Sequence, residues 1–298
     1  MNSKKIKRSR EDFLLDMSIY FILGLCFIIV AYPLYFVIIA SFSDPNAIFR
    51  GEVMLLPKNI SIEGYKRIFA YKAIWTGYYN TLIYTFTGTA LSVFLTMTIA
   101  YPLSLNKFSG RKFILIYLMI TMYIGGGLIP TYLLVRNLGL HNTRAVMAIL
   151  GALSIFNVIV TKTFLQTNIP PELEDAAAID GCSPIRFFIF CVLPLSSAIL
   201  AVLTLWYAVG QWNDFMTALI YITDTSKYPL QLVVRSILFI THAVMSANED
   251  PTEYAKMQQA AEQLKYGVII VSAVPLLLLY PFLQKFFIKG VMIGSIKG

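Results

Sequence analysis

The sequence predicts an all-α protein that crosses a membrane with six helices and carries one further short helix in a cytoplasmic loop. Of its 298 residues, 57% are apolar and only 13% are charged, which is about half the charged share of a soluble globular domain. The charges are also bunched, so long charge-free windows separate them, and windows of this length indicate transmembrane helices. This composition excludes an ordinary soluble enzyme, a disordered protein and a coiled coil.

Each charge-free window approaches or exceeds the ~20 residues that an α-helix needs to cross ~30 Å of hydrocarbon. The shortest window is extended to Leu165, because the long side chain of Lys162 can reach the membrane interface. Prolines inside or near the ends of several windows predict kinks, which membrane helices tolerate. The predicted spans are residues 17–43, 73–106, 113–135, 145–161, 187–213 and 266–284.

Basic residues set the predicted orientation of these spans. Residues 1–16 carry five Lys and Arg side chains, which place this segment in the cytoplasm. The first apolar run is too long for a cleavable signal peptide and lacks a cleavage site, so we interpret it as an uncleaved anchor. With six spans the tail 289–298 is also cytoplasmic, and residues 17–288 form one transmembrane domain with long outer loops at 44–72 and 224–265. A helix is predicted in the second outer loop at 250–265.

The loop between the fourth and fifth spans, residues 168–194, contains a strong short-helix pattern. Prolines open it, acids and an alanine run follow, and a glycine ends it, which predicts a helix from Pro171 to Asp180 with Gly181 as its left-handed stop. Its acids lie on the membrane face that usually collects Lys and Arg, and so short a helix is marginal alone in water. Both a docking helix for a cytosolic partner and a solvated connector fit this pattern.

The motif Asp175-Ala176-Ala177-x-x-x-Gly181, followed by Leu193-Pro194, resembles the EAA loop of the membrane subunits of ABC importers. Asp175 stands where Glu is usual in that family, and Cys191 stands where Ile is common. In the family the loop forms a coupling helix that sits in a groove of the ATPase subunit. The resemblance therefore implies ATPase-coupling roles for Glu174, Asp175, Ala176, Ala177, Asp180, Gly181, Leu193 and Pro194.

The rest of the chain resembles one branch of that family. Residues 125–132, 210–213, 280–285 and the tail 289–298 are similar to carbohydrate permeases of the type of the second maltose-importer membrane subunit, and in particular to the polysaccharide and complex-oligosaccharide subgroup. The resemblance implies an ATP-driven carbohydrate importer in the cytoplasmic membrane of a bacterium. Its expected partners are a second permease subunit, two ATPase subunits that hold ATP and Mg, and an extracytoplasmic binding protein facing the outer loops.

The chain shows no pattern for chemistry of its own. It contains no G-x-x-x-x-G-K-[ST] phosphate loop, no Ser/His/Asp set and no nucleophile elbow. The three cysteines and two histidines match no metal or disulfide spacing. The net charge of +8 does not indicate nucleic-acid binding, because no basic helix accompanies it. We therefore expect a transport subunit, not an enzyme, without catalytic residues, metal or cofactor.

A sugar pathway needs amides or hydroxyls and aromatic platforms. The fifth span carries a polar and aromatic cluster near its end, and Asp214 just beyond it is either an acceptor for sugar hydroxyls or an interfacial or paired charge. In the third span, two tyrosines flank a glycine run. Helical spacing prevents all of the fifth-span residues from facing one path, and packing in the core or the interfacial belt is the alternative for each. The candidate pathway residues are Tyr123, Tyr132, Trp206, Tyr207, Gln211, Trp212, Asn213 and Asp214.

Three other functions share parts of this pattern. An ion-driven secondary transporter should carry buried charges within its spans, and none lies deeper than Asp214 in the predicted spans. A membrane scaffold would need no polar groups in the fifth span. Neither has a use for the acidic loop 170–181, which an ATPase-coupled permease requires. A permease for peptides, amino acids or polyols would carry the same loop, and only the wider resemblance along the spans favours carbohydrate.

Overall fold

The computed structural model describes residues 10–247 and 264–278, and within these ranges all regular elements are helical, as predicted. The α-helices are α1 (Arg10–Ser41), α2 (Pro45–Phe49), α3 (Glu63–Ala70), α4 (Lys72–Ser104), α5 (Arg111–Tyr123), α6 (Leu128–Asn137), α7 (Ala145–Ile149), α8 (Ile155–Asn168), α9 (Pro171–Ile179), α10 (Pro184–Phe187), α11 (Leu193–Leu195), α12 (Ser197–Asn213), α13 (Met216–Tyr221), α14 (Leu230–Ala247) and α15 (Leu264–Leu278). A π-helical turn at Phe188–Val192 joins α10 to α11, and a 3₁₀ turn at Thr225–Lys227 precedes α14.

Two compact units divide the chain. One holds the described residues up to Ala70 together with those between Ile237 and Val271, and the other holds Tyr71–Ser236 together with the described residues from Ser272. In the first unit, α1 is 32 residues long and only 6% of its apolar window is buried, so its side chains face the surroundings of the chain. Gly267 of α15 lies so close to Ile68 of α3 that an added Cβ would be 2.7 Å from the Ile68 side chain.

The second unit is built around the long helix α4, which packs against α8 and α12. Its inner face carries small and polar residues at helical spacing, among them Gly77, Thr81, Gly88, Ser92 and Thr96. Small residues allow the close helix approach on which packing inside a membrane depends. One core cluster lies where α4 meets α8 and α12, and a second lies where α4 meets α7 and α13.

A side chain in place of Gly77 would crowd the point where α4 meets the start of α14. A Cβ added to Gly77 would lie 3.0 Å from the Leu230 Cα and 3.3 Å from the Val233 side chain. One turn further along α4, the Thr81 hydroxyl accepts a hydrogen bond of 2.8 Å from the Leu230 amide, which the start of a helix leaves without an intrahelical acceptor. The first turn of α14 therefore lies directly against the face of α4.

Polar side chains of α4 also hold the segment that leads into α14. The Asn80 amide donates to the carbonyls of Ser226 at 2.8 Å and Tyr228 at 3.1 Å, and the Tyr84 hydroxyl donates to the Lys227 carbonyl at 2.8 Å. Asn142, which has a left-handed φ of +57°, accepts from two backbone amides of the same segment. This end of the second unit is therefore fixed by hydrogen bonds between segments far apart in sequence.

Two predicted spans are bent rather than continuous. The window 113–135 consists of α5 and α6, which meet at 112° around the glycine run, where Gly127 has a φ of +80°. The window 187–213 bends by 80° between Leu195 and Ser197, directly after Pro194, whose ring and missing N–H favour such a break. The fourth predicted span is also interrupted, between α7 and α8, where Gly151 has a φ of +80°.

Two described helices, α1 and α4, are each long and apolar enough to cross a membrane alone, and the count rises to four if each bent pair is one span. The six-span count therefore stays a prediction. The structure also differs from the predicted outer loop 224–265, because that segment contains the apolar helix α14 of 18 residues. The predicted helix 250–265 lies almost wholly outside the described residues, as do the end of the sixth predicted span, the stretch 280–285 and the tail 289–298.

Candidate functional site

The short helix predicted in the loop 168–194 is present as α9, with Pro171 at its first position. Its end is a Schellman motif, in which the Cys182 amide donates to the Ala177 carbonyl at 2.8 Å and the Gly181 amide donates to the Ala178 carbonyl at 3.1 Å. Gly181 has a φ of +73°, a conformation that costs other residues roughly 1–2 kcal/mol. The glycine therefore ends the helix at a defined residue.

Helix α9 projects from the second unit, and none of its residues is buried. Its apolar side chains lie open, with Ile179 87% exposed and Leu173 43% exposed, and Ala176 is exposed between them. Ala177 alone among its residues packs against the neighbouring core cluster. A short helix with so little packing of its own fits both interpretations that the sequence left open, a docking helix and a solvated connector.

Adjacent acids of α9 have different surroundings. The Glu174 carboxylate is 2.9 Å from the Lys107 ammonium and its side chain is only 23% exposed. The Asp175 side chain is 74% exposed, with its carboxylate 3.7 Å from the same ammonium. The hydrogen bond to Glu174 is the main cause that raises the pKa of Lys107 above its ordinary value.

Two of the eight candidate coupling residues lie outside α9 and the stop that follows it. Leu193 and Pro194 belong to α11, on the bent fifth span, where Leu193 packs at the edge of the core cluster and Pro194 is exposed. The other six lie together on α9 and its stop: Glu174, Asp175, Ala176, Ala177, Asp180 and Gly181.

Two of the candidate pathway residues are core residues in this structure. Tyr207 is 8% exposed, and its hydroxyl lies 2.7 Å from the Thr96 hydroxyl. Trp212 is 1% exposed, its indole N–H donates to the Ser272 carbonyl at 3.2 Å, and its ring contacts Tyr78. Their contacts support the alternative interpretation, that these aromatic side chains hold helices together.

The remaining candidates of the fifth span do not share one face. Trp206 is 41% exposed beside Phe156, and Gln211 lies over Gly88. Asn213 is exposed, with its amide oxygen 3.5 Å from the amide nitrogen of Gln231 on α14. Asp214 accepts a hydrogen bond of 3.0 Å from the Thr217 amide, one of the amides that the start of α13 leaves without an intrahelical acceptor.

The third-span candidates are also separated. Tyr123 is 83% exposed at the end of α5, whereas Tyr132 stacks on Tyr221 in the second core cluster. The eight pathway residues therefore do not form one site, and a pathway role for the exposed ones stays a prediction. The sequence analysis missed Lys107 and Gln231 as contact residues, since nothing in the sequence pairs Lys107 with Glu174 or Gln231 with Asn213. Among the described residues, no group of three His, Cys, Asp or Glu side chains could hold a metal ion.

We expect Tyr207→Phe to lower the free energy of unfolding by about 1–2 kcal/mol, because it removes the buried hydrogen bond with Thr96 and a longer one from the Ser154 amide. The thermal midpoint of the purified protein in detergent measures this loss, and Tyr123→Phe, which changes an exposed tyrosine, is the control. If transport falls while the midpoint stays unchanged, Tyr207 acts on the substrate and the core interpretation is wrong.

Comparison with known proteins identifies the class. No family model matches the chain. The Bacillus subtilis polygalacturonan/rhamnogalacturonan transport system permease protein YtcP is 38% identical over 286 residues, which cover 96% of this chain and 99% of the relative. Protein LplC of the same organism is 38% identical over 89% of each chain. The crystal structure of a bacterial ABC transporter involved in the import of the acidic polysaccharide alginate contains a chain that matches with a TM-score of 0.85 and 28% identity, over 95% of this chain and 100% of that one.

The helical fold and these relatives define an integral membrane transport protein. The chain belongs to the ABC transporter permeases, in the branch that serves carbohydrate uptake. This result confirms the resemblance derived from the EAA-type loop and the stretches along the spans. It also confirms the prediction that the chain is a transport subunit rather than an enzyme, because the relatives are permease proteins of transport systems.

Proposed function

We propose that this chain imports oligosaccharides or polysaccharide fragments across the cytoplasmic membrane of a bacterium, driven by ATP that separate subunits hydrolyse. The observation that carries the proposal is helix α9, which has no buried residue and exposes apolar side chains together with Asp175, an acid whose side chain is 74% exposed. In this arrangement the N- and C-termini and α9 lie on the cytoplasmic side. A second permease subunit, two ATPase subunits that bind ATP and Mg, and an extracytoplasmic binding protein complete the transporter.

In the proposed mechanism, α9 transmits the movement of the ATPase subunits to the membrane spans. Closure of the ATPase pair on ATP displaces α9, and because short connections join α9 to α8 and α10, the displacement reaches the spans of the second unit. Rigid-body rocking of the spans then opens the path to the other side. The bends between α5 and α6 and between α11 and α12 supply breaks at which helix segments can shift relative to each other.

Acidic oligosaccharides are the substrate class that we propose first. YtcP is named for polygalacturonan and rhamnogalacturonan, and the solved transporter imports the acidic polysaccharide alginate, so these systems share carboxylate-bearing sugar units. Uptake of an oligogalacturonate and of a neutral oligosaccharide of equal length, measured in liposomes that contain the complete transporter, separates the two classes. Uptake of the neutral sugar alone would contradict an acidic substrate.

The coupling role of α9 is tested by reversing the charge of Asp175. We expect Asp175→Lys to weaken association with the ATPase subunits by roughly 30-fold, or about 2 kcal/mol, since charge-pair disruption at an interface commonly costs this much. Co-purification of the tagged permease with the ATPase, followed by ATP hydrolysis, measures the effect. Glu63→Lys is the control, because Glu63 is an equally exposed acid on α3, in the predicted outer loop.

Two results would contradict this proposal. In one, no ATPase co-purifies with the wild-type permease. In the other, Asp175→Lys and Glu63→Lys bind and stimulate the ATPase equally well. The first would remove the ATP-driven assembly altogether, whereas the second would leave the assembly intact and place its contact elsewhere on the chain.

A further inference from the structure

The loop that joins α4 to α5 contacts helix α9 through a single lysine. Lys107 follows the end of α4 by three residues, and its ammonium lies 2.9 Å from the Glu174 carboxylate and 3.7 Å from that of Asp175. Lys107 itself is 59% exposed, so it extends over the surface to α9 rather than being packed beneath it. These ion pairs connect the proposed coupling helix to the central helix of the second unit.

A cavity of about 230 Å³ lies beneath this contact. Its walls come from the end of α4, the loop after it, the end of α8 and the first half of α9, with both Lys107 and Glu174 among the lining residues. Because the space is not filled by side chains, apolar packing does not hold the first half of α9 against α4. The contacts between the first half of α9 and the loop after α4 at this cavity are the ion pairs of Lys107.

The opposite side of the cavity has a second polar link. The Gln166 side-chain amide, near the end of α8, donates to the Ser104 carbonyl at the end of α4 at 3.1 Å. In the second half of α9, Ala177 packs against the core cluster. Ile169, just before the helix, packs against the same cluster, and Lys107 adds a polar contact to the first half of α9.

We propose that Lys107 is a positioning residue for energy coupling, which transmits displacement of α9 to α4 through Glu174. The inference rests on the proposed coupling role of α9 and assigns different roles to its adjacent acids. Glu174, whose side chain is 23% exposed, makes the shorter contact with Lys107. Asp175 makes the longer contact with the same ammonium and is 74% exposed, so a basic side chain of the ATPase subunit can also reach it. A displacement of α9 then moves the end of α4 as well as α8 and α10.

The contact is expected to matter for coupling and little for stability. Exposed ion pairs contribute little to the free energy of unfolding, because water screens them and long side chains lose freedom. Loss of the Lys107 contact should therefore leave the permease folded and bound to the ATPase. The quantity that changes is the amount of sugar transported for each ATP hydrolysed, because α4 no longer follows α9.

The experiment uses the complete transporter in liposomes and measures sugar uptake and ATP hydrolysis together. We expect Lys107→Gln and Glu174→Gln each to lower transport per ATP about fivefold, the lower range of coupling between distant sites. The double variant should lose about the same factor, because the two side chains act as one pair. Lys107→Arg keeps the charge and should restore coupling, and Lys112→Gln, which removes a charge from the start of α5, is the matched control.

Unchanged transport per ATP in Lys107→Gln, with the wild type coupled, would overturn the role of Lys107 and leave the coupling role of α9 standing. The role of Lys107 would also be overturned if the double variant lost transport per ATP by the product of the two single losses. A loss in Lys112→Gln as large as in Lys107→Gln would overturn it as well. Failure of the wild type to bind any ATPase would overturn both this inference and the proposed function. A thermal midpoint lowered in Lys107→Gln alone would assign the ion pair to folding instead.

Discussion

Trp212→Ala is expected to lower the free energy of unfolding by about 3 kcal/mol, the lower range for removing a buried tryptophan. The indole is 1% exposed, contacts Tyr78 and donates a hydrogen bond to the Ser272 carbonyl. The lower range applies because membrane spans unfold into lipid or detergent, so the transfer of apolar surface out of water contributes less than in a soluble core. The remaining cost of the substitution comes from lost packing contacts and from the Ser272 carbonyl, which loses its hydrogen-bond donor.

Trp206→Ala is the matched control, since it removes the same side chain from the same helix at a position that is 41% exposed. The fraction of folded monodisperse protein after heating in detergent, followed by size exclusion, gives the thermal midpoint of each variant. Equal midpoints for the two variants would refute the buried role of Trp212. If Trp212→Ala loses transport while its thermal midpoint is preserved, Trp212 acts in the substrate pathway.

Gly77→Val is the second substitution with a large expected effect. The side chain would meet the Leu230 backbone, which cannot turn aside as a flexible side chain can, and overpacking of this kind costs about 1–3 kcal/mol. Moving α14 away to make room would also stretch the hydrogen bond from the Leu230 amide to Thr81. We therefore expect a fall of about 3 kcal/mol when the loss of roughly 1 kcal/mol from this bond is added.

Gly210→Val tests whether valine in a membrane helix is harmful by itself. Gly210 lies in α12, and a Cβ added there would meet no atom within 4 Å. The thermal midpoint of Gly210→Val should stay close to that of the wild type, while that of Gly77→Val falls. Similar midpoints for both valine variants would mean that α4 and α14 do not pack as closely as the structure shows.

Local signals explain what could be predicted from the sequence. The boundaries of α9 follow from Pro171, the acids behind it and Gly181, each of which acts within one turn of the backbone. The helical class follows from the length of the charge-free windows. The bend at the glycine run of the third span coincides with the small residues noted there, because glycines without side chains leave the backbone free to turn.

Two kinds of feature could not be predicted from the sequence: a helix interrupted by a charge, and contacts between residues that are far apart in the chain. Helix α14 was missed because Arg235 interrupts its apolar sequence, and a search for charge-free windows divides the helix at that residue. The contact between Lys107 and Glu174 carries no sequence signal, since a lysine next to a span is accounted for by orientation alone. The roles of Tyr207 and Trp212 depended on which face of α12 meets α4, and aromatic residues are common on both kinds of face.

The hydrogen bonds that join α4 to the segment before α14 have a consequence for biosynthesis. Asn80 and Ser226 are 146 residues apart in the chain. At ribosomal rates of about 5–20 residues per second, roughly 7 to 30 s pass between the synthesis of the two partners. During that interval α4 is already in the membrane while the amide of Asn80 and the hydroxyls of Thr81 and Tyr84 have yet to meet their final partners. The nascent permease therefore needs water, lipid headgroups or the insertion machinery to form hydrogen bonds with these groups until synthesis has passed residues 226–230.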